Sequence, residues 1–162
     1  MDVMVGSLLM SETAAAGRTC GDCTACCTVL AVDELRKPMR WACEHVACGG
    51  CRAYETRPQA CRDFNCLWLR GAISGDESRR PDNLGVLFDY FHSTASNDSR
   101  FVAFELWNGA FDEPAGAALL VEMAASREIQ LSYRNGSWRT IGEWPQSPSQ
   151  IQNPKSKIPN RS

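Results

Sequence analysis

Histidine, excess charge and long apolar runs are all scarce in this chain, and each shortage removes a class of function. Two histidines leave few groups able to act as bases near neutral pH, and no paired acid and base can be named, so an enzyme is the weaker reading. A formal charge of −2 and a pI near 5.7, with arginines scattered among carboxylates, give no basic footprint for nucleic acid. The apolar run Val3 to Met10 is too short to span a bilayer and follows Asp2 rather than a positive region, so neither a membrane span nor a signal peptide is expected. A cytoplasmic protein is the expectation. Met10, which opens the polar run Ser11 to Arg18, is a second candidate start, with residues 1 to 9 as an extension; N-terminal sequencing of native protein would decide. No internal repeat is visible.

Cysteine is absent after Cys66, yet all nine cysteines lie between Cys20 and Cys66. In a reducing compartment such density, with an odd count, points to thiols held by metal rather than to disulfides. The rest of the composition is ordinary for a globular domain, with 44% hydrophobic and 22% charged residues, so a real core is expected. Four segments follow from composition: a flexible start over 1–18, a cysteine-cluster segment over 19–71, a cysteine-free segment over 82–142, and a tail over 145–162 too poor in apolar groups to offset the entropy of ordering it.

The cysteine-free segment predicts an α+β unit. Leu84 to Phe91 and Phe101 to Trp107 are rich in β-branched and aromatic residues, separated by the polar stretch Ser93 to Ser99, and read as two strands and a loop. Pro114 to Ser126 reads as a helix opened by its proline, with an apolar stripe through either Ala118, Val121 and Ala125 or Leu119, Glu122 and Met123. Ile129 to Tyr133, the turn pair Asn135-Gly136 and Trp138 to Ile141 form a hairpin. The fold class is therefore α+β: a cysteine-rich, metal-stapled lobe with short helices, followed by a small, mostly antiparallel sheet with one helix.

The spacing of the cysteines carries the chemistry. Thiolates two residues apart can close on one ion because the tight turn between them aims backbone N–H groups at the sulfurs. Cys20-Gly21-Asp22-Cys23 is such a knuckle, Cys26 repeats the spacing, and Cys48-Gly49-Gly50-Cys51 is a second. The neighbours Cys26 and Cys27 are harder to place. If residues 20 to 27 coil helically, Cys20, Cys23 and Cys27 fall within about 60° of one another and Cys26 lies about 100° from Cys27. Either one of the pair ligates and the other packs, or the two bridge a pair of ions. Cys43, Cys61 and Cys66 add thiols, and His45 could add an imidazole, although it is more readily a surface or supporting group. Four donors close one structural ion, so nine sulfurs suit one site with spares or two sites with one left over. CxxCxxC also overlaps the ferredoxin run, which keeps an iron–sulfur cluster with an electron-transfer role as the alternative.

The run Cys20-x-x-Cys23-x-x-Cys26-Cys27, then Cys43, then Gly50-Cys51-Arg52-Ala53-Tyr54-Glu55-Thr56-Arg57-Pro58-Gln59-Ala60-Cys61-Arg62-Asp63-Phe64-Asn65-Cys66-Leu67-Trp68-Leu69 resembles the YkgJ-type cysteine cluster family, the CxxCxxCC zinc- or iron-chelating domain, over about residues 19 to 71. The resemblance implies a zinc or iron site with Cys20, Cys23, Cys26, Cys27, Cys43, Cys51, Cys61 and Cys66 as ligands; Cys48 is an addition to the pattern and a less certain donor. The Arg57-Pro58 step is expected to start a helix bearing Cys61. Arg57 and Arg62 are expected either to neutralise thiolate charge or to pair with Glu55 and Asp63. Tyr54, Phe64, Trp68 and Leu69 are expected to pack the lobe on the sheet, and Trp107, Trp138 and Trp144 to fill or edge it, or else to bind a partner.

Overall fold

The computed structural model describes residues 13–93 and 98–142. In chain order the regular elements are α1 (Ala25–Val29), β1 (Val46–Ala47), β2 (Gly50–Cys51), α2 (Gln59–Asp63), α3 (Pro81–Leu84), β3 (Val86–Ser93), β4 (Asp98–Glu105), α4 (Pro114–Ala124), β5 (Ile129–Ser132) and β6 (Trp138–Ile141). The fold is α+β. Among the described residues, no helix is long and apolar enough to cross a membrane.

The strands β3, β4, β5 and β6 form one sheet in that order. The two outer pairings are antiparallel, while β4 and β5 run parallel. A parallel neighbour needs a crossover, and α4 lies within it. Pro114 opens this helix at its first turn, and Gly116, Leu119, Leu120 and Met123 are its buried residues. Val121 is 72% exposed, so the stripe through Ala118, Val121 and Ala125 faces outward and the one through Leu119 and Met123 packs. A Cβ on Gly116 would stand 2.3 Å from the carbonyl oxygen of Ala110 and 3.5 Å from Val86 Cγ2, which places α4 on the Val86 face of the sheet.

The first strand begins two residues later than the sequence reading places it. Pro81 starts α3 and Gly85 ends it with φ +80, donating its N–H to the Pro81 carbonyl. Leu84 therefore belongs to a helical turn, and the ladder opens at Val86 paired with Glu105. Leu106 and Trp107 leave the strand; the Leu106 N–H is taken by the Gly85 carbonyl. At the other end the polar stretch is partly strand, with Ser93 opposite Asp98.

Successive side chains of a strand face opposite ways. Since Val86 faces α4, Leu87 and Asp89 face the other side, and both line the cavity bounded by the cysteine segment. The register sets Leu87, Phe104, Ser132 and Trp138 in one row on that face. Arg40 of the cysteine segment reaches the same row: its guanidinium stands over Phe104 and donates to Ser132 Oγ, the Ser132 carbonyl and the Glu105 carbonyl at 2.6–2.7 Å. One hydrophobic cluster runs through both parts of the chain, joining Ala25, Val29, Leu67, Trp68 and Leu69 to β3, β4, β5 and α4.

Candidate metal centre

The cysteine segment is built mostly of turns. Gly21, at φ +54, allows Cys20–Cys23 to close with the Cys23 N–H on the Cys20 carbonyl at 2.9 Å. The helical option holds only from Ala25, where α1 carries Cys26 and Cys27 with their sulfurs 4.0 Å apart. Cys43 is drawn beside them by its N–H bond to the Cys27 carbonyl, 2.9 Å. Cys51 sits in β2 opposite Val46, whose own N–H bonds the Cys43 carbonyl. Cys61 is carried by α2, which starts after Pro58 as the Arg57-Pro58 step predicts; the Glu34 carboxylate accepts from the N–H groups of Gln59 and Ala60. Cys66 is buried, and the next residue ties to the sheet through Leu67 N–H to the Phe88 carbonyl, 3.0 Å.

These turns bring eight thiols to one place. Cys20, Cys23, Cys26, Cys27, Cys43, Cys51, Cys61 and Cys66 all line a single cavity of about 330 Å³, and His45 joins them. Cys48 is exposed at the tip between β1 and β2 and does not line it. The glycine-bearing Cys48–Cys51 turn is thus a hairpin that delivers one sulfur, not two.

Three cations stand in the wall: Lys37, Arg57 and Arg80. Lys37 is buried, donates to the Leu30 and Pro38 carbonyls, and lies within electrostatic reach of Cys43, Cys27, Cys26 and Cys61. Arg57 lies over the Tyr54 ring at 3.9 Å and acts on Cys20, Cys27 and Cys61. Arg80 bridges Asp22 and Asp82 at 2.6–2.7 Å. Arg62 does neither thing expected of it. It donates to the backbone carbonyls of Arg57 and Glu55 and is not part of the wall. Tyr54 is 45% exposed rather than packed between lobe and sheet, whereas Trp68 and Leu69 are buried in the shared core.

Burial sets most of these thiols against ionising. It pushes Cys23 up to about 12 and Cys66 up to about 11, and it raises Cys20 and Cys61. Backbone N–H groups of Ala25 near Cys23, and of Leu69 and Trp68 near Cys66, pull the other way, which is the N–H to sulfur pattern of a knuckle. Cys27 is the exception: the Cys26 thiol donates to it and Lys37 and Arg57 stand near, lowering it to about 7 while Cys26 rises. Among the described residues, no three histidine, cysteine or carboxylate side chains stand at the separations that hold an ion. The donor set fits a borderline-soft or soft metal all the same, with sulfur brought from six places along the segment, cations in the wall and a mostly apolar lining.

Lys37, Arg80 and Asp89, which line the cavity, and Asp82, which hydrogen-bonds Cys23 and pairs with Arg80, were not recognisable as site residues in the sequence. Arg80 and Asp89 lie beyond the last cysteine, and only the fold returns them to it. Residues 1–12, Trp144 and the tail lie outside the described residues, while Ala15 and Arg18 are held by bonds to the carbonyls of Leu69, Trp68, Ile73 and Gly75. Comparison with family models, with curated proteins and with solved structures finds no match to this chain, so the likeness to the cysteine cluster family rests on its motif residues alone.

Proposed function

We propose that this chain is a metal-binding protein of the YkgJ type, chelating zinc or iron through the thiolates of residues 20–66. One observation carries the reading: the eight cysteines that the motif implies as ligands converge on one cavity, and the ninth, Cys48, does not. Buried cysteines placed only for packing would have no reason to sort in this way. The cations Lys37, Arg57 and Arg80 suit a polythiolate, because four thiolates around a divalent ion leave two negative charges uncompensated. When bound, the metal would supply the cross-links that short turns alone lack, so its binding free energy would also be folding free energy.

The aimed N–H groups at Cys23 and Cys66 and the apolar lining are also the features that tune an iron–sulfur cluster, which makes electron transfer the second reading. Metal and acid-labile sulfide content per chain, with an absorbance spectrum, on protein purified without air or an affinity tag separates the two. Zinc without sulfide or visible colour supports chelation. Iron with matching sulfide and a broad band near about 400 nm supports the cluster. Protein that holds no metal and cannot be loaded overturns both.

A further inference from the structure

We infer that the cavity holds two ions side by side, one closed by Cys20, Cys23, Cys26 and Cys66 and the other by Cys27, Cys43, Cys51 and Cys61, with the neighbours Cys26 and Cys27 at the junction. This rests on the metal-binding reading above, chooses two sites over one and adds a ligand partition that the motif does not contain.

The two quartets differ in where they sit. Cys66 belongs to the hydrophobic core, and Cys20, Cys23 and Cys26 are packed against it; Cys27, Cys43, Cys51 and Cys61 are not. Within the inner set, Cys20 and Cys23 close one turn by a backbone bond, Cys26 lies in electrostatic reach of both, and Cys66 in reach of Cys20; across the junction, Cys27 acts on both Cys20 and Cys26. The outer set is strung together by its own backbone: Cys43 N–H to the Cys27 carbonyl, Val46 N–H to the Cys43 carbonyl, and Val46 paired with Cys51. Cys61, carried by α2, lies within electrostatic reach of Cys27, Cys43 and Cys51 and is placed with them.

The wall cations follow the division only at Arg80; Lys37 and Arg57 reach thiols of both sets. Arg80 acts on Cys20 and is held by Asp22 of the first knuckle. Lys37 lies within electrostatic reach of the outer thiols Cys43, Cys27 and Cys61 and of the inner thiol Cys26. Arg57 reaches both sets. Four sulfurs satisfy one tetrahedral ion. A single ion would leave four further thiols in the same cavity without a ligand role, although each is positioned by its own backbone contacts. The 4.0 Å between the Cys26 and Cys27 sulfurs sets the two sites next to each other without requiring either thiol to serve twice.

The test is zinc loading of the full chain, counted by native mass spectrometry, with cobalt(II) absorbance as a second readout and circular dichroism to show that each variant is folded. Two ions are expected for the unaltered chain and for Cys48→Ser. The pairs Cys20→Ser/Cys23→Ser and Cys43→Ser/Cys61→Ser should each retain one ion, and Cys23→Ser/Cys61→Ser none at the same free zinc. The inner pair avoids buried Cys66, so a folding failure at that position does not obstruct the experiment. Loss of both ions from either within-quartet pair means one shared cluster and overturns the partition while leaving chelation intact. A single ion in the unaltered chain does the same. No ion in the unaltered chain overturns the chelation reading itself.

Discussion

Asp89 is a carboxylate buried on β3 in the wall of the thiol cavity, held through a bond from its own neighbour's N–H at 2.7 Å. Burial raises it to about 6 from a usual 3.8, with Arg70 opposing. Between about pH 4 and pH 6 the unfolded chain gives up this proton while the native chain keeps it, so stability falls as pH rises through that window and is level above it. In metal-free protein, Asp89→Asn should abolish this slope: urea denaturation should show little difference from the unaltered chain at about pH 4 and about 3 kcal/mol more stability at about pH 7. At the cation positions the structure separates two arginines that look alike in the sequence. Arg57→Ala should weaken zinc binding about tenfold, roughly 1.4 kcal/mol, and Arg62→Ala should leave it unchanged; isothermal titration of both variants checks the pair. Equal losses would return Arg62 to the site.

At the scale of elements, α4 sets how closely the crossover packs on the sheet. Gly116 is the close-contact residue: a Cβ there would collide with the backbone of Ala110, in the loop that leads into the helix, while its distance to Val86 on the sheet is ordinary contact. Gly116→Ala should therefore cost about 1–3 kcal/mol in urea denaturation through overpacking. Gly136, in the turn before β6, has φ +87 and open space around it. Gly136→Ala should cost only about 1–2 kcal/mol, from the left-handed backbone alone, with no shift in the packing of α4. A larger loss at Gly136 than at Gly116 would contradict this account of the crossover. The short helices of the cysteine segment are another matter: α1 and α2 have five residues each, below the length at which a helix is stable by itself. Tertiary contacts order them: Ala25 and Val29 of α1 pack in the core, and the Glu34 carboxylate accepts from the first N–H groups of α2.

Across the whole molecule, the cysteine segment joins the sheet through the shared hydrophobic core, the Leu67 N–H bond to the Phe88 carbonyl and the Arg40 clamp. Arg40 donates to groups on two strands, and Glu105, whose carbonyl it takes, uses its buried carboxylate to accept from the N–H groups of Gly109 and Arg134. Arg40→Ala should lower stability by about 2–4 kcal/mol, because charge-assisted bonds to buried acceptors are lost together. Metal removal should act differently. With a chelator, amide exchange should rise across residues 20–66 while β3, β4 and β5 stay protected, since their bonds do not pass through the thiols. Uniform loss of protection would mean that the metal holds the entire fold rather than one lobe.

The residues by themselves determined most of the second half. β-branched and aromatic runs, the Pro114 start and the Asn135-Gly136 turn are local signals, and the strands, helix and hairpin they predict are present. The parallel pairing of β4 with β5, and which helix stripe is buried, were not legible, because both depend on which face meets which neighbour. In the cysteine segment the motif named the thiols, and the proline step placed α2. Whether Cys48 joins the others, which arginine faces them, and that Lys37, Arg80 and Asp89 share their cavity were decided by the tertiary structure. Spacing along a chain reports which donors a turn can offer together; it does not report where separate turns meet, and that is set by the packing of the cysteine segment on one face of the sheet.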